Sequence, residues 1–396
     1  MEHIQNDAKR CLKCKNARCQ NGCPIHTPIP EINKLIESEQ YEDAAYMLFN
    51  NNPMSMVCSL ICNHEKQCRG NCVLGIKGSP VDFPAIEHYV SNSFFERIKI
   101  EKEPDNGKKV AIIGAGPSGI SIAILLTKKG YQVTIFEGKD KIGGVLQYGI
   151  PDFRLPKSIL ERYRKKLIDI GVQIRPNVTI GETLTIDDLL NDGYKSVFVG
   201  TGVWKPNKLG IKGESLGHVH YAIDYLANPE VFNLGRKVSV IGMGNSAMDV
   251  ARTALRYGAE EVYMFARGDK SKANTDEIMA AKMDGAKLVF YHSPKEITEK
   301  GILFDVTDGS GTEDFHECDS VIISVSQGPR NRLVTTTEGL DPNEKGLLVT
   351  EENGATSRAG VFAAGDVVMG AKTAVDAVNN AKIVAKAMHE YMMNLE

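Results

Sequence analysis

The sequence predicts an α/β protein in which a helical, cysteine-rich amino-terminal domain precedes two Rossmann-like dinucleotide-binding domains. Eight of the nine cysteines lie between residues 11 and 72. Two apolar strand–glycine turn–helix patterns follow, and their first glycines, Gly114 and Gly242, are 128 residues apart. The chain has 396 residues, more than one hydrophobic core usually supports, so two or three domains are expected.

The composition narrows the possible functions. The chain has 47 basic and 50 acidic residues and a formal charge of −3, which gives no electrostatic footprint for nucleic acid or an anionic membrane surface. It shows neither a secretion signal nor an apolar run that could span a bilayer. We expect a cytoplasmic protein that binds small molecules or protein partners. In that reducing compartment, clustered cysteines bind metal or act in catalysis more often than they form disulfides.

The amino-terminal domain is expected to cover residues 1–105. Apolar residues recur at helical spacing between residues 31 and 49 and predict one helix there. The polar stretch EKEPDNGKK then combines proline, glycine and charge, which indicates a linker.

The first glycine turn opens a domain that we expect to cover residues 106–215 and 330–396. Gly114, Gly116 and Gly119 follow a strand and begin a helix, the context that a dinucleotide-binding turn requires. The helix amino terminus supplies N–H groups and positive dipole for phosphates. Glu137 ends the second strand, 21 residues after Gly116, where a carboxylate can accept hydrogen bonds from ribose hydroxyls. The last part of this domain, from GVFAAGDV onward, predicts a strand, a turn and a closing helix.

The second glycine turn belongs to a domain expected at residues 216–329. Gly242, Gly244 and Ala247 occupy the equivalent places, since alanine is an accepted variant of the third glycine. At the end of its second strand, where the first domain has Glu137, this domain has Ala266 and Arg267. A ribose 2′-phosphate could therefore be tolerated there or paired with the arginine. A solvated basic loop is the alternative interpretation, and the choice between NADH and NADPH stays open. Two dinucleotide units in one chain predict a tightly bound flavin on one and a nicotinamide on the other. Hydride passes directly between these two cofactors, so no acid–base residue is required.

The cysteines form two sets with the spacings C-x2-C-x4-C-x3-C-P and C-x3-C-x5-C-x3-C. The first approximates the ferredoxin run in which a proline-flanked fourth cysteine serves a second iron–sulfur cluster. A structural zinc site is the competing interpretation, but it normally shows two CxxC-like knuckles and this sequence has one CxxC. Disulfide reduction by the flavin is disfavoured, because no cysteine lies between Val73 and Glu317. Cys318 is expected to be a buried strand residue.

These motifs resemble the glutamate synthase small-subunit family, which includes the large subunit of NADH-dependent ferredoxin:NADP oxidoreductase and the electron-input portion of dihydropyrimidine dehydrogenase. The resemblance covers essentially the whole chain and is most specific in CLKCKNARCQNGCP, VAIIGAGPSG, GGVLQYGIPDFRLPK, GMGNSAMDVARTA and VFAAGDV. It implies one [4Fe–4S] cluster on Cys11, Cys14, Cys19 and Cys72. It implies a second cluster on Cys23, Cys62, Cys68 and a non-cysteine ligand, Glu87 or its neighbour His88, with Glu87 preferred and Cys58 spare.

The resemblance also implies residues that contact the nucleotide cofactors. For FAD these are Gly114, Gly116, Pro117, Ser118, Gly119, Glu137, Gly144, Val145, Arg154, Ile61, Asp366, Thr373 and Ala374. For NADH or NADPH they are Gly242, Gly244, Asn245, Ser246, Ala247, Arg267 and Lys272. Many family members carry two basic residues where this chain has Ala266 and Arg267, and this departure leaves the NADP assignment open.

The resemblance implies a heteromeric oxidoreductase subunit in which FAD takes a hydride from NAD(P)H and two [4Fe–4S] clusters carry single electrons to or from a partner subunit. The chain offers no further region of domain size for a substrate. Two alternatives stay open: an electron-bifurcating, ferredoxin-linked transhydrogenase subunit, and a scaffold subunit whose cofactors are structural. The direction of electron flow and the partner are not predicted.

Overall fold

The computed structural model describes residues 2–395 and confirms the predicted α/β class. Its helices are α1 (Glu2–Lys9), α2 (Arg18–Asn21), α3 (Ile29–Glu37), α4 (Tyr41–Asn51), α5 (Ser55–Ile61), α6 (Phe83–Phe94), α7 (Pro117–Lys128), α8 (Val145–Tyr148), α9 (Lys157–Asp169), α10 (Ile186–Asn191), α11 (Ala222–Ala227), α12 (Asn245–Arg256), α13 (Thr275–Met283), α14 (Arg332–Thr336), α15 (Asp366–Met369) and α16 (Ala374–Met393). Short 3-10 helices are Val73–Ile76, Phe95–Arg97 and Pro229–Val231. Among the described helices, none is long and apolar enough to cross a membrane.

The strands are β1 (Lys109–Ile113), β2 (Gln132–Phe136), β3 (Gln173–Arg175), β4 (Tyr194–Val199), β5 (Lys205–Pro206), β6 (Val219–Tyr221), β7 (Lys237–Ile241), β8 (Glu261–Phe265), β9 (Lys287–Val289), β10 (His292–Thr298), β11 (Gly301–Val306), β12 (Glu313–Glu317), β13 (Ser320–Ile323), β14 (Gln327–Gly328) and β15 (Val361–Ala363).

The chain divides into two compact units. The first comprises residues 1–144, 154–203 and 329–396, and the second comprises residues 145–153 and 204–328. The second unit therefore takes in residues 145–153 and 204–215, both of which the sequence assigns to the first nucleotide domain. For residues 204–215 the reason is strand pairing, because β5 pairs antiparallel with β14. The division of the first unit into a cysteine domain and a flavin domain stays a prediction.

The amino-terminal part is helical, but the single helix predicted for residues 31–49 is wrong. Helix α3 ends at Glu37 and α4 begins at Tyr41. Glu39 adopts a left-handed conformation with φ of 60°, and the Gln40 N–H turns back to the Leu35 carbonyl at 2.8 Å. A residue with positive φ ends a helix in this way. The apolar face continues across the break, which is why the periodicity conceals it.

The first unit contains a five-stranded parallel sheet in the order β15-β4-β1-β2-β3. Strand β1 is buried from Val110 to Ile113, as expected for a strand covered by helices on both faces. Consecutive strands β1 and β2 are neighbours, and the order reverses at β1, where β4 pairs on its other side. Ligands of such sheets bind at the carboxyl ends of the strands beside this reversal.

The second unit repeats the arrangement with a parallel sheet in the order β6-β13-β7-β8-β9. A three-stranded antiparallel sheet, β10-β11-β12, is inserted before β13 and packs through Phe304 on Phe265 of β8, with ring centroids 4.4 Å apart. Cys318 is 5% exposed and lies in the connection between β12 and β13. It is buried as predicted, although it stands next to a strand rather than in one.

Candidate functional site

The first glycine turn lies at the carboxyl end of β1. Gly114 has a φ of 98°, and a Cβ there would be 2.6 Å from the Gly200 carbonyl oxygen. Gly116 is the N-cap of α7, and a Cβ built on it meets nothing within 4 Å. Gly144 closes over this turn, since its Cβ would be 3.0 Å from the Gly116 Cα. The turn thus leaves open space beside the backbone and the helix N–H groups, as a bound pyrophosphate requires.

Glu137 is held rigidly at this turn. One carboxylate oxygen accepts from the Ala115 N–H at 2.7 Å and the other from the Lys139 N–H at 2.9 Å. Burial raises the pKa of this carboxyl, and the two backbone N–H groups act against that rise. Each carboxylate oxygen has a second lone pair, so the acid can still accept bonds from ribose hydroxyls.

The closing segment of the first unit reaches the same turn. The Ser118 hydroxyl donates to the Ala377 carbonyl at 3.2 Å, and a Cβ on Gly365 would be 2.7 Å from that hydroxyl. Thr373 caps α16 in a capping box with Asp376. Burial raises the pKa of Asp366, the first residue of α15, to about 6, although its carboxylate accepts from the Lys372 N–H. The structure therefore brings the predicted FAD residues of both parts of the domain together.

Three predicted FAD residues lie in other surroundings. Ile61 is the last residue of α5 in the cysteine-rich part. Arg154 begins the 154–203 segment of the first unit, whereas Val145 begins α8 in the second unit. Their contacts with FAD stay a prediction.

The second glycine turn follows β7. Gly242 has a φ of 125°, and a Cβ there would be 2.2 Å from the Ser324 carbonyl oxygen. Gly244 is the N-cap of α12, and a Cβ built on it again meets nothing within 4 Å. Ala247 is fully buried on the first turn of α12. The two turns are therefore built alike, with an open space at the second glycine.

The basic loop after β8 folds back onto this turn. The Lys272 N–H donates to the Met243 carbonyl at 3.1 Å, and the Asn274 N–H donates to the Asn245 side-chain oxygen at 2.9 Å. Lys272 and Arg267 are both exposed. The loop thus places Lys272 beside the turn. Arg267 is the second residue after β8, next to the position that corresponds to Glu137 after β2 in the first unit.

Four cysteines line a small cavity, which we call the first thiol pocket: Cys11, Cys14, Cys19 and Cys72. They are half-buried, and Cys68 also borders the cavity. Burial raises the pKa of the Cys19 thiol to about 11, and the neighbouring Cys72 and Cys11 add to that rise. These are the four residues that the family resemblance assigns to one cluster.

The second thiol pocket is a small cavity bordered by the other predicted set: Cys23, Cys62, Cys68 and Glu87. Cys58 borders it as well. Glu87 is 6% exposed, and burial, followed by the charge of Cys58, raises the pKa of its carboxyl well above the usual range. His88 instead lies with its Nδ1 3.2 Å from the Ser59 hydroxyl. The geometry therefore favours Glu87 over His88 as the fourth group.

The thiols of this second pocket interact with one another. Burial raises the pKa of Cys23 and of Cys68, and the Glu87 charge adds to both rises. A hydrogen bond between the sulfurs of Cys58 and Cys62 lowers the pKa of Cys58 and raises that of Cys62. Buried thiolates of this kind are stable only with a positive partner, which a metal centre supplies.

The arrangement fits iron–sulfur clusters better than single ions. A zinc ion needs four ligands within about 2.3 Å of one point. Among residues 2–395, no three Cys, His, Asp or Glu side chains converge in that way. The thiols instead surround cavities, as a cluster larger than one ion demands.

Two buried asparagines border these pockets and were not anticipated from the sequence. Asn33 of α3 borders the first thiol pocket and Asn52 borders the second. Asn33 is buried together with Ile29, Ile32 and Ile36. A polar residue within that apolar stripe was the available sequence signal.

The second pocket also adjoins the start of α16. Val375, the second residue of that helix, borders the pocket and packs with Ile25 and Cys58. Because Thr373 and Ala374 begin the same helix, the thiol pocket lies beside the residues predicted to face the flavin.

Comparison with known families agrees with this geometry. Residues 1–99 match the dihydropyrimidine dehydrogenase domain II, 4Fe-4S cluster family, and residues 72–188 and 108–381 match the pyridine nucleotide-disulphide oxidoreductase family. Fold and site thus define a pyridine-nucleotide-dependent flavoprotein oxidoreductase with a 4Fe-4S domain.

Relatives of known identity make the assignment more specific. The glutamate synthase [NADPH] small chain of Halomonas elongata is 31% identical, with 97% of this chain and 90% of that protein covered. The PreT subunit of NAD-dependent dihydropyrimidine dehydrogenase from Escherichia coli K12 is 32% identical, with 98% and 93% covered. The chain belongs to the family of the glutamate synthase small chain and of PreT. It is an NAD(P)H-dependent oxidoreductase.

Solved structures share the fold of the nucleotide-binding part. The thioredoxin reductase of T. acidophilum has a TM-score of 0.59 at 23% identity, with 72% of this chain and 98% of that chain covered. FprA from Mycobacterium tuberculosis in complex with NADPH has a TM-score of 0.61 at 20% identity, with 73% and 85% covered. At this identity the likeness shows the fold alone.

Proposed function

We propose that the chain is the electron-input subunit of a heteromeric oxidoreductase, which oxidises NADH or NADPH and delivers electrons one at a time to a partner polypeptide. One observation carries the proposal. The first unit combines an FAD-type glycine turn with two thiol pockets, and Val375 at the start of α16 borders the second pocket.

The chain's own residues bind and orient the reacting groups. FAD, when bound, exchanges a hydride with a nicotinamide and single electrons with iron–sulfur clusters. The turn at Gly116 binds the pyrophosphate of FAD, and Glu137 binds its ribose. The amino terminus of α16 places positive dipole beside the predicted flavin position, which stabilises negative charge there. The turn at Gly244, with Arg267 and Lys272, binds the nicotinamide dinucleotide.

The proposed clusters number two. The first thiol pocket provides four cysteine ligands, and the second provides three cysteines and Glu87. A carboxylate ligand changes the net charge of its cluster and therefore its reduction potential.

The proposal of a partner polypeptide is supported by relatives that are themselves named as a small chain or a subunit. We place the protein in the cytoplasm, because a reducing compartment leaves clustered cysteines available to bind iron–sulfur clusters instead of forming disulfides.

The first test is the cofactor content of protein purified without oxygen. About eight iron atoms, with matching sulfide, and one FAD per chain are expected, since each cubane contains four irons. A preparation with zinc in place of iron contradicts the proposal. Four irons would support one cluster only.

The second test separates an enzyme from a scaffold subunit with structural cofactors. Addition of NADH or NADPH without oxygen is expected to bleach the flavin absorbance. A loaded protein whose flavin stays oxidised with both nucleotides would favour the scaffold function.

A further inference from the structure

Each thiol pocket is bordered by one buried asparagine whose amide nitrogen meets no oxygen acceptor. Asn33, which is 0% exposed, borders the first pocket, and Asn52, which is 1% exposed, borders the second. Within residues 2–395, neither amide atom of Asn33 has a partner, and the Nδ2 of Asn52 meets no oxygen acceptor. Both amides therefore hold N–H donors at the border of a cavity.

Such donors are costly unless something in the cavity accepts from them. Leaving a buried polar group unsatisfied costs about 1–3 kcal/mol, and buried polar groups in proteins almost always have partners. The orientation of the Asn52 amide is fixed, because its oxygen accepts from the Met54 N–H at 2.9 Å. The nitrogen is the other end, and its interaction with the Cys58 thiol helps to lower the pKa of that cysteine.

Other asparagines of the cysteine-rich part do not share this property. The Asn21 amide donates to Asn16 at 2.9 Å, and the Asn71 amide donates to the carbonyls of Lys66 and Gln67. Among the asparagine amides described for this part, the buried donors without an oxygen acceptor thus lie at the two pockets.

Cysteine sulfurs are the side-chain acceptors that border the first pocket beside Asn33. Glu87 and Gln67 also border the second pocket, but the Asn52 nitrogen interacts there with the Cys58 sulfur. The walls of the first pocket are otherwise mostly apolar, with Ile29, Val73 and Phe83 among them. We propose that Asn33 and Asn52 donate amide hydrogen bonds to the sulfurs of the clusters in the first and second pockets, one to each, and so raise their reduction potentials. A donor to sulfur stabilises the more electron-rich, reduced cluster. This inference rests on the proposed function, because it requires both clusters.

The first experiment is a reductive titration of the complete protein followed by electron paramagnetic resonance. Asn33→Leu is expected to lower the equilibrium constant for reduction of one cluster about tenfold, which equals about 59 mV for a one-electron couple. Asn52→Leu is expected to do the same to the other cluster. Asn21→Leu is the matched control and should change neither.

Iron and sulfide contents are measured first, so that two failures can be told apart. Unaltered protein without two clusters contradicts the proposed function. Fully loaded variants with unchanged potentials overturn the present inference and leave the proposed function standing. A role of the asparagines in packing alone also predicts unchanged potentials.

A second experiment needs no substitution and decides the matter if a leucine variant loses its cluster. The unaltered protein is labelled with ¹⁵N in the asparagine side-chain amides and reduced, and the cluster signals are examined by electron–nuclear double resonance. A ¹⁵N coupling to each reduced cluster is expected. Absence of that coupling from both clusters overturns the inference.

Discussion

The two nucleotide-binding units use the same glycine turn but differ in how closely the following helix approaches it. In the first unit, a Cβ on Gly119 would lie 2.0 Å from the Gly114 carbonyl oxygen. In the second unit the equivalent residue, Ala247, carries a Cβ and is fully buried. The first turn is also supported by Glu137, which follows β2 and accepts from the Ala115 N–H. In the second unit, Ala266 and Arg267 follow the corresponding strand β8 and provide no carboxylate. The tighter, acid-supported turn suits a resident cofactor, and the looser one suits a nucleotide that must leave.

The largest effect is expected from Gly119→Ala. Its new methyl group would overlap a backbone carbonyl, so α7 must move away from β1. We expect a loss of about 3 kcal/mol in the free energy of unfolding together with loss of FAD, since severe overpacking costs this much. Thermal unfolding and flavin content measure both. Gly217→Ala, where a Cβ meets nothing within 4 Å, is the control.

Glu137→Ala tests the acid that distinguishes the first turn. It leaves the N–H groups of Ala115 and Lys139 without their side-chain acceptor and removes the predicted ribose contact. We expect FAD affinity to fall by about 2–3 kcal/mol, because the ribose hydroxyls lose a charged acceptor and a hydrogen bond to a charged group contributes about 1.5–3 kcal/mol. Equilibrium dialysis of flavin measures the change, and Glu352→Ala, an exposed substitution, is the control. Unchanged FAD affinity would remove Glu137 from the site.

Asp366→Asn tests the second acid of the first unit. The folded-state pKa of Asp366 is raised to about 6 from 3.8. Because the pKa of Asp366 is higher in the folded state, ionisation of this carboxyl destabilises the folded protein. This destabilisation grows as the pH rises from about 3.8 through about 6. We expect the stability advantage of the variant over the unaltered protein to increase by about 1–2 kcal/mol between pH 5 and pH 8. Unfolding midpoints at both pH values measure it, and a constant difference contradicts the prediction.

Arg267→Ala tests the replacement of the acid in the second unit. If the guanidinium pairs with a 2′-phosphate, NADPH binding should weaken about tenfold, or about 1.4 kcal/mol, while NADH binding changes little. The KM values of both nucleotides in flavin reduction measure the effect. Lys300→Ala, on the exposed β10–β11 connection, is the control. Equal effects on both nucleotides exclude this role.

The smallest effect is expected from Ala247→Gly, the reverse of the first substitution. It makes the second turn resemble the first in sequence without removing any hydrogen bond. Glycine in a helix costs about 0.5–1 kcal/mol relative to alanine, so only that loss in unfolding free energy is expected. A loss as large as that of Gly119→Ala would mean that the two turns do not differ in the way described.

The sequence predicted the features that depend on local patterns. The glycine turns, the strands before them and the closing strand, turn and helix all follow from residue type and spacing, because φ > 0 at Gly114 and Gly242 and the burial of β1 and β7 leave a direct signature. The assignment of cysteines to two sets came from the family resemblance, since thiol spacing alone does not distinguish the predicted ligands from Cys58.

Features that depend on packing could not be predicted. The break at Glu39 involves neither glycine nor proline, and a glutamate at positive φ is uncommon enough that no pattern indicates it. The boundary at residue 204 depends on the pairing of β5 with β14, which are two residues long. The lack of an oxygen acceptor at the amide nitrogens of Asn33 and Asn52 becomes visible only when every neighbouring acceptor has been placed.

Cys68 borders both thiol pockets, and so do Ile29 and Phe83, so these three side chains separate the two cavities. Oxidative damage that displaces Cys68 would therefore expose both thiol pockets to solvent. Iron loss under oxygen from the two proposed clusters should therefore be cooperative, with few molecules retaining a single intact cluster.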